Sequence, residues 1–242
     1  MNNKKGKILA FLASDGKEYE FRIEAIDKKE TKKEHESLLV SQTLEMMNHY
    51  LKLNNEASAR NLKIQEMQKY YLKEDILFMK SSKWSLTLLD TLNDYMLHKT
   101  SFSPDYPESE KQFLKLPKTE INKCINKRMK EIIPETVFKD YILDKSPTYD
   151  EYISFRKVFA YQYGAVVACN FILSADAHLH NYLFDLKTGN IEINEFKLNY
   201  APKSVSEFSV RLSRNIMNFF TKVHVNANVL PAFVATIAAL SN

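Results

Sequence analysis

The stretch that decides the reading runs from Ser174 to Glu195, SADAHLHNYLFDLKTGNIEINE. Two short apolar runs, Tyr182–Phe184 and Ile191–Ile193, flank Lys187-Thr188-Gly189-Asn190, a pattern that predicts a β-hairpin. Asp176, His178, Asn181, Asp185 and Glu195 fall where loop and strand ends would gather them. Oxygen donors so arranged are typical magnesium ligands, and an Asp beside them could orient a hydroxyl nucleophile. Plainer readings stand beside this one. Asp185, two residues before Lys187-Thr188-Gly189, is most simply a turn residue. His178-x-His180 suits a transition metal, but no glutamate or cysteine sits at matching spacing. On the residues alone the cluster is as readily structural as functional.

Before this stretch, Thr148-x-x-Glu151 forms a capping box after Pro147. It opens a long helix with Tyr152, Phe155, Phe159, Val166, Cys169 and Leu173 on one side. The unbroken apolarity of Ala165–Leu173 predicts burial all round. Residues 99–118 hold three of the seven prolines and read as a linker. It separates a small strand-rich part with one helix, residues 1–98, from a helical part, residues 119–242, which carries the hairpin.

In the first part, Asp15-Gly16 between two apolar runs predicts a hairpin over residues 7–23. The charged run Asp27–Glu36 reads as a solvated loop entering a helix. Val40, Leu44, Met47 and Leu51 space a helical face stopped at Asn54-Asn55, with the Met46–Met47 pair as core filler. Leu62-x-Ile64 and Ile76–Met79 read as strands, with a hinge near Phe78–Ser82. Trp84–Leu97 returns to helical spacing at Leu86, Leu89, Leu92 and Met96. In the second part, Ile121, Ile125, Met129 and Ile132 line a helix ended by Pro134. Residues 226–240 form a helix with Pro231 in its first turn.

Composition bounds the function. The 242 residues are 45% apolar, enough for a sizeable core, and 34 Lys and Arg against 30 Asp and Glu leave a net charge of only +4. So weak an excess gives no ground for direct nucleic-acid binding. Two cysteines, Cys124 and Cys169, exclude a disulfide framework and a multi-cysteine zinc site. Cys169 reads as a buried free thiol, which suits a reducing compartment. No stretch reaches the ~18 apolar residues of a membrane span, so a soluble intracellular protein without membrane attachment is expected.

The register of Asp176-Ala177-His178-Leu179-His180-Asn181, Asp185, Gly189 and Ile193-Asn194-Glu195-Phe196-Lys197 resembles the phosphatidylinositol-3-kinase-related kinases. Their catalytic loop and metal-binding hairpin run Gly-x-x-Asp-Arg-His-x-x-Asn, then an Asp, a Gly turn and His-Ile-Asp-Phe-Gly. Other segments resemble one branch, the transformation/transcription domain-associated protein family. These are Phe155–Gly164 (FRKVFAYQYG), Met129–Leu143 (MKEIIPETVFKDYIL), Ser209–Ile216 (SVRLSRNI), Ala13–Ile23 (ASDGKEYEFRI) and Ser85–Met96 (SLTLLDTLNDYM). The resemblance spans nearly the whole chain in order and is diffuse over residues 27–75.

The resemblance implies an α+β, bilobal protein-kinase-like domain, incomplete in its N-terminal lobe and without the C-terminal module. This branch consists of pseudokinases that serve as scaffolds, and the departures here agree. Glu24 stands where the nucleotide-holding lysine is expected, Ala177 replaces the catalytic-loop arginine, Glu195 replaces the metal-binding aspartate and Lys197 replaces a glycine. A glutamate repels phosphate where a lysine would neutralise it. The glycine-rich element would have to precede residue 7, so a fragment or one part of a split polypeptide is expected. Asp176, His178, Asn181 and Glu195 are then vestigial, with no cofactor and no metal.

The expected function is a nuclear, non-catalytic scaffold. It would be part of the activator-binding subunit of a SAGA-type or related histone acetyltransferase complex. Its partners would be the other subunits of that coactivator complex, including a chain supplying helical-repeat and first-strand segments, with transcription activators met indirectly. The alternative is an active protein or lipid kinase using ATP and magnesium. In it Asp176 orients the substrate hydroxyl, His178 assists at the transferred phosphate, and Asn181 with Glu195 holds the metal.

Overall fold

The computed structural model describes residues 7–25, 33–72, 76–81, 84–99, 134–173, 182–194 and 213–241. Two antiparallel strands come first, β1 (Lys7–Leu12) and β2 (Glu18–Ala25). Their turn closes as expected: Asp15 Oδ1 accepts from the Lys17 amide at 3.0 Å, and Gly16 takes φ +74, a conformation that favours glycine. Helix α1 (Lys33–Leu53) buries Val40, Leu44, Met47 and Leu51, the predicted face; Met47 is core, while Met46 is exposed. The asparagines do more than stop it. Asn54 caps a second short helix, α2 (Asn55–Ala59), its side chain accepting from the Ala57 amide at 3.0 Å.

Leu62 and Ile64 are buried but not in a strand; Asn48 instead holds Ile64 by its backbone, donating to the carbonyl and accepting from the amide, both at 2.8 Å. The strands that follow are β3 (Gln65–Glu66), β4 (Lys69–Leu72) and β5 (Ile76–Ser81). Phe78–Ser81, placed at the hinge by sequence, is thus still strand. The expected helix over Trp84–Leu97 starts late. Ser85–Thr87 is strand β6, pairing Leu86 with Phe184, and α3 (Leu88–Lys99) follows. The Thr87 hydroxyl and the Asp90 carboxylate fix that switch by bonding each other's backbone amides. The linker over 99–118, apart from Lys99, and the helix over Ile121–Ile132 lie outside the described residues.

Helix α4 (Val137–Lys145) leads to α5 (Tyr149–Ile172), whose cap is the predicted one: Thr148 Oγ1 accepts from the Glu151 amide at 3.2 Å. Burial all round holds for Ala165, Val166, Ala168, Cys169 and Asn170, but Phe171 and Ile172 are about two-fifths exposed, at 40% and 39%. Strands β7 (Tyr182–Asp185) and β8 (Ile191–Ile193) form the predicted hairpin. The chain ends in α6 (Arg214–His224), a π turn (Val225–Val229) and α7 (Leu230–Leu240), with Pro231 in the first turn of α7. Against expectation, the run Arg214–Leu240 is long and apolar enough to cross a membrane by length and composition. Its Ile216, Phe219, Phe220, Val229, Ala232, Ala235 and Ala239 are buried in the core of this chain.

Two four-stranded sheets result, in the orders β1-β2-β5-β4 and β3-β8-β7-β6. The first is wholly antiparallel; in the second β3 runs parallel to β8. One core joins α1, α5 and α7 with the second sheet. Its centre is aromatic: Phe138 meets Phe219 at 4.9 Å and Phe184 at 5.2 Å edge-on, the arrangement favoured by ring quadrupoles.

Candidate functional site

The β7–β8 hairpin lies along α5 and is fixed at both ends. At the turn, a β-carbon on Gly189 would come within 2.6 Å of the Phe155 carbonyl oxygen, and Gly189 takes φ +76. At the open end, the buried Tyr182 hydroxyl bonds the Asn170 amide, and Tyr182 pairs with Ile193. Burial drives the Tyr182 phenol above its usual range.

Asp185 belongs to the turn, as the plainer reading had it. Its Oδ1 accepts from the amides of Lys187 and Thr188, both at 2.9 Å, and from the Thr188 hydroxyl at 3.1 Å. That places it at the far end of the hairpin from Tyr182. Lys187 lies 4.4 Å over the Trp84 ring, and the Leu186 amide bonds the Trp84 carbonyl at 2.9 Å, tying the turn to the start of β6.

Asp176, His178 and Asn181, with Ala177 and His180 between them, lie outside the described residues, as do Glu195 and Lys197. In sequence Asn181 adjoins Tyr182, and Glu195 adjoins Asn194, the residue after β8. Glu24 is in β2, opposite Leu77 of β5 in the middle of the first sheet. Among the described residues no three His, Cys, Asp or Glu stand close enough to hold a metal.

A polar cleft of about 530 Å³ opens between α1, β3, β4, the end of β5 and β8. Lys63, Lys69 and Lys80 line it, facing Glu45, Glu66 and Glu192. The Ser41 hydroxyl donates to Glu66 Oε2 at 3.0 Å, and Lys69 reaches the Asn194 carbonyl. Burial raises the Glu66 carboxyl above its usual range, against the pull of Ser41 and Lys69. Burial likewise raises Glu192, opposed by Lys80 and Lys63. Three lysines matched by three glutamates make a locally neutral lining. Sequence reasoning missed these residues because they come from four separate stretches of the chain, around 45, 63–70, 80 and 192.

No family model and no curated protein matches the chain. Solved structures do. The chain superposes on the FAT and kinase domain of CtTel1 with a TM-score of 0.74 at 21% identity, over 97% of its own length. The same scores hold against the complete CtTel1 dimer with C2 symmetry, and the open conformation of CtTel1 gives 0.70 at 20%. The chain spans 17% of the first of these chains and 9% of the other two. Neither identity singles out the branch to which the sequence signatures point. What the likeness establishes is the fold: an α+β chain with the kinase-like architecture found in part of the FAT and kinase domain of CtTel1.

Proposed function

We propose that this chain is a non-catalytic, kinase-like scaffold of the transformation/transcription domain-associated branch. In this reading it is a nuclear part of the activator-binding subunit of a SAGA-type or related histone acetyltransferase complex. The observation that carries the proposal is the register of β2 on β5, in which a glutamate, Glu24, stands opposite Leu77. The resemblance puts Glu24 where kinases hold nucleotide phosphates with a lysine on a small-lobe strand. An acid there works against a phosphate ligand, and Ala177 removes a second cation from the sequence of the catalytic loop. Its scaffold role rests on the branch-specific signatures Phe155–Gly164 and Ser209–Ile216. Partners are the other subunits of that complex.

The second reading is an active kinase using ATP and magnesium. It is favoured by the pairing of Tyr182, which follows Asn181, with Ile193, two residues before Glu195, at one end of a hairpin. Thermal denaturation with and without ATP and magnesium separates the two. The scaffold gives no shift. A ligand at about 100 times its Kd adds about 2.7 kcal/mol, which for the kinase is a rise of several degrees. Mass spectrometry of what co-purifies with the endogenous protein tests the assembly: absence of acetyltransferase-complex subunits overturns it.

A further inference from the structure

Strand β2 alternates strictly. Tyr19, Phe21, Ile23 and Ala25 share one face of the first sheet, while Glu18, Glu20, Arg22 and Glu24 take register positions on the other. Residues paired across strands share a face, so the apolar set extends through Phe11 of β1, Phe78 of β5 and Tyr70 of β4. Phe21 sits at its centre, its ring 5.7 Å from Phe11 and 6.3 Å from both Phe78 and Tyr70. Such alternation marks an antiparallel sheet with one covered face and one wet one. Here the apolar face is the uncovered one: Phe11 is 46% and Tyr70 50% exposed. Met79, paired with Arg22 on the other face, is buried. Among the described residues, none from β1, β2, β4 or β5 belongs to the core that joins the helices to the second sheet. An apolar patch left open across four strands marks an interaction surface.

The chemistry of the face narrows the occupant. A sheet face offers side chains only, because its backbone groups point along the sheet. Whatever lies on it must satisfy its own backbone, which a helix does and an extended segment does not. Four strands about 4.8 Å apart span about 14 Å, room for one helix about 10 Å wide. By register the described residues of this face include two charges, Lys7 opposite Ile23 and Lys80 opposite Phe21, and no carboxylate. Lys80 Nζ lies 5.9 Å from the centre of the Tyr19 ring, on this side of the sheet. Two acids bear on the face from its margins. Asp15, at the β1–β2 turn, accepts from the Tyr19 hydroxyl at 2.9 Å and lies 4.0 Å from Lys17. Glu192, in the polar cleft, feels the charge of Lys80. Three lysines against two acids leave an excess of one positive charge. A second copy packed face to face would add lysines and no acid. The helix expected over Ile121–Ile132 carries Lys123, Lys127, Arg128 and Lys130 and has the wrong sign as well.

We propose that the aromatic face of the first sheet is a docking surface for one amphipathic helix of a partner protein. That helix is aliphatic on the side laid over Phe11, Phe21 and Tyr70, and acidic along its flanks, where it meets Lys7 and Lys80. The surface does not depend on the scaffold reading, and neither Asp176 nor the β7–β8 hairpin takes part in it.

The test uses the recombinant full chain and three synthetic peptides of about five helical turns. One has leucines at helical spacing flanked by glutamates. The second has lysines in place of those glutamates. The third is the glutamate peptide with two prolines that forbid the helix. Fluorescence anisotropy at constant ionic strength reads the affinities. The glutamate peptide binds saturably, the lysine peptide about fivefold more weakly, as two exposed ion pairs allow, and the proline peptide not measurably. Phe11→Ser weakens the glutamate peptide about tenfold through lost apolar contact. Ile8→Ser, on the same strand but the other face and 65% exposed, leaves it unchanged. Lys7→Glu combined with Lys80→Glu makes the lysine peptide the tighter binder. No binding of the glutamate peptide, equal binding of the lysine or the proline peptide, or equal effects of Ile8→Ser and Phe11→Ser overturns the proposal. If Phe11→Ser loses its native circular dichroism, the double charge reversal decides: an unchanged preference for glutamate overturns, a reversed one supports.

Discussion

Gly164 of α5 faces the π turn so closely that a β-carbon on it would lie 2.4 Å from the carbonyl oxygen of Val229. Ala232 and the Phe233 amide stand 3.0 and 3.1 Å from the same point. The approach seats the last helical run on the central helix, and backbone atoms cannot rotate out of the way. Gly164→Ala therefore destabilises by about 1–3 kcal/mol, as overpacking does. The sign is diagnostic, since helix propensity alone would make alanine better by about 1 kcal/mol. Urea unfolding of the two proteins measures it; equal or greater stability for the alanine variant would mean that the contact is loose.

Phe155→Ala removes a side chain 3% exposed, stacked on Phe159 at 5.7 Å and edge-on to Phe219 at 6.1 Å. Its cost is about 3–5 kcal/mol, enough to consume much of the stability of an ordinary domain. Ile153, two residues earlier and 38% exposed, is the control, with an expected change below about 1 kcal/mol. Under the scaffold reading, quantitative immunoprecipitation should find the Phe155→Ala chain depleted from the proposed complex and the Ile153→Ala chain at normal level. Equal recovery of both would show that Phe155 is not central to the core.

How much of this was legible in sequence depends on the range of the interactions. The Thr148–Glu151 cap, the Asp15-Gly16 turn and the Val40–Leu51 face are set by residues within a few turns of each other, and each was read correctly. Strand β6 was missed because its partner, Phe184, is about a hundred residues away; Leu86 alone continues the helical spacing of Leu89 and Leu92. Asn54 was read as an end because asparagine serves both helix termini, and only its bond to Ala57 reveals a beginning. The charged cleft was invisible for the same long-range reason: Glu66 and Glu192 lie far apart in sequence and meet only through the parallel pairing of β3 with β8.

Alkaline pH should unfold the protein earlier than its surface charge suggests. Burial pushes the Cys169 thiol from 9.0 to about 12 and the Tyr163 phenol from 10.0 to about 12, and raises Tyr182 from 10.0 as well. All three hold protons in the folded state that the unfolded chain releases. The stability they contribute is thus complete below pH 9 and is lost as pH rises through about 12. The urea midpoint should be level at neutral pH and fall steadily above about pH 9. Cys169→Ala should flatten the first part of the fall. A midpoint constant to about pH 11 would show that these groups are not as buried as they stand here.

The expectation that bears most directly on function concerns Asp176. Under the scaffold reading, Asp176→Ala leaves complex assembly and transcriptional output nearly unchanged. An aspartate that orients a nucleophile matters only where ATP phosphates are also held. Glu24 and Ala177 both remove positive charge from that task, and stabilisation of the transferring phosphoryl group is usually the largest catalytic term, on the order of several kcal/mol. Without it Asp176 has no reacting group to serve. A stability loss of about 1 kcal/mol is compatible with this, because a carboxylate can still accept backbone hydrogen bonds. The measurement pairs a reporter of transcription with recovery of the assembled complex, so that loss of function through unfolding is recognised as such. Loss of output in a variant that assembles normally would defeat the scaffold reading and put the ATP-and-magnesium kinase in its place, with Asp176, His178, Asn181 and Glu195 as its working residues.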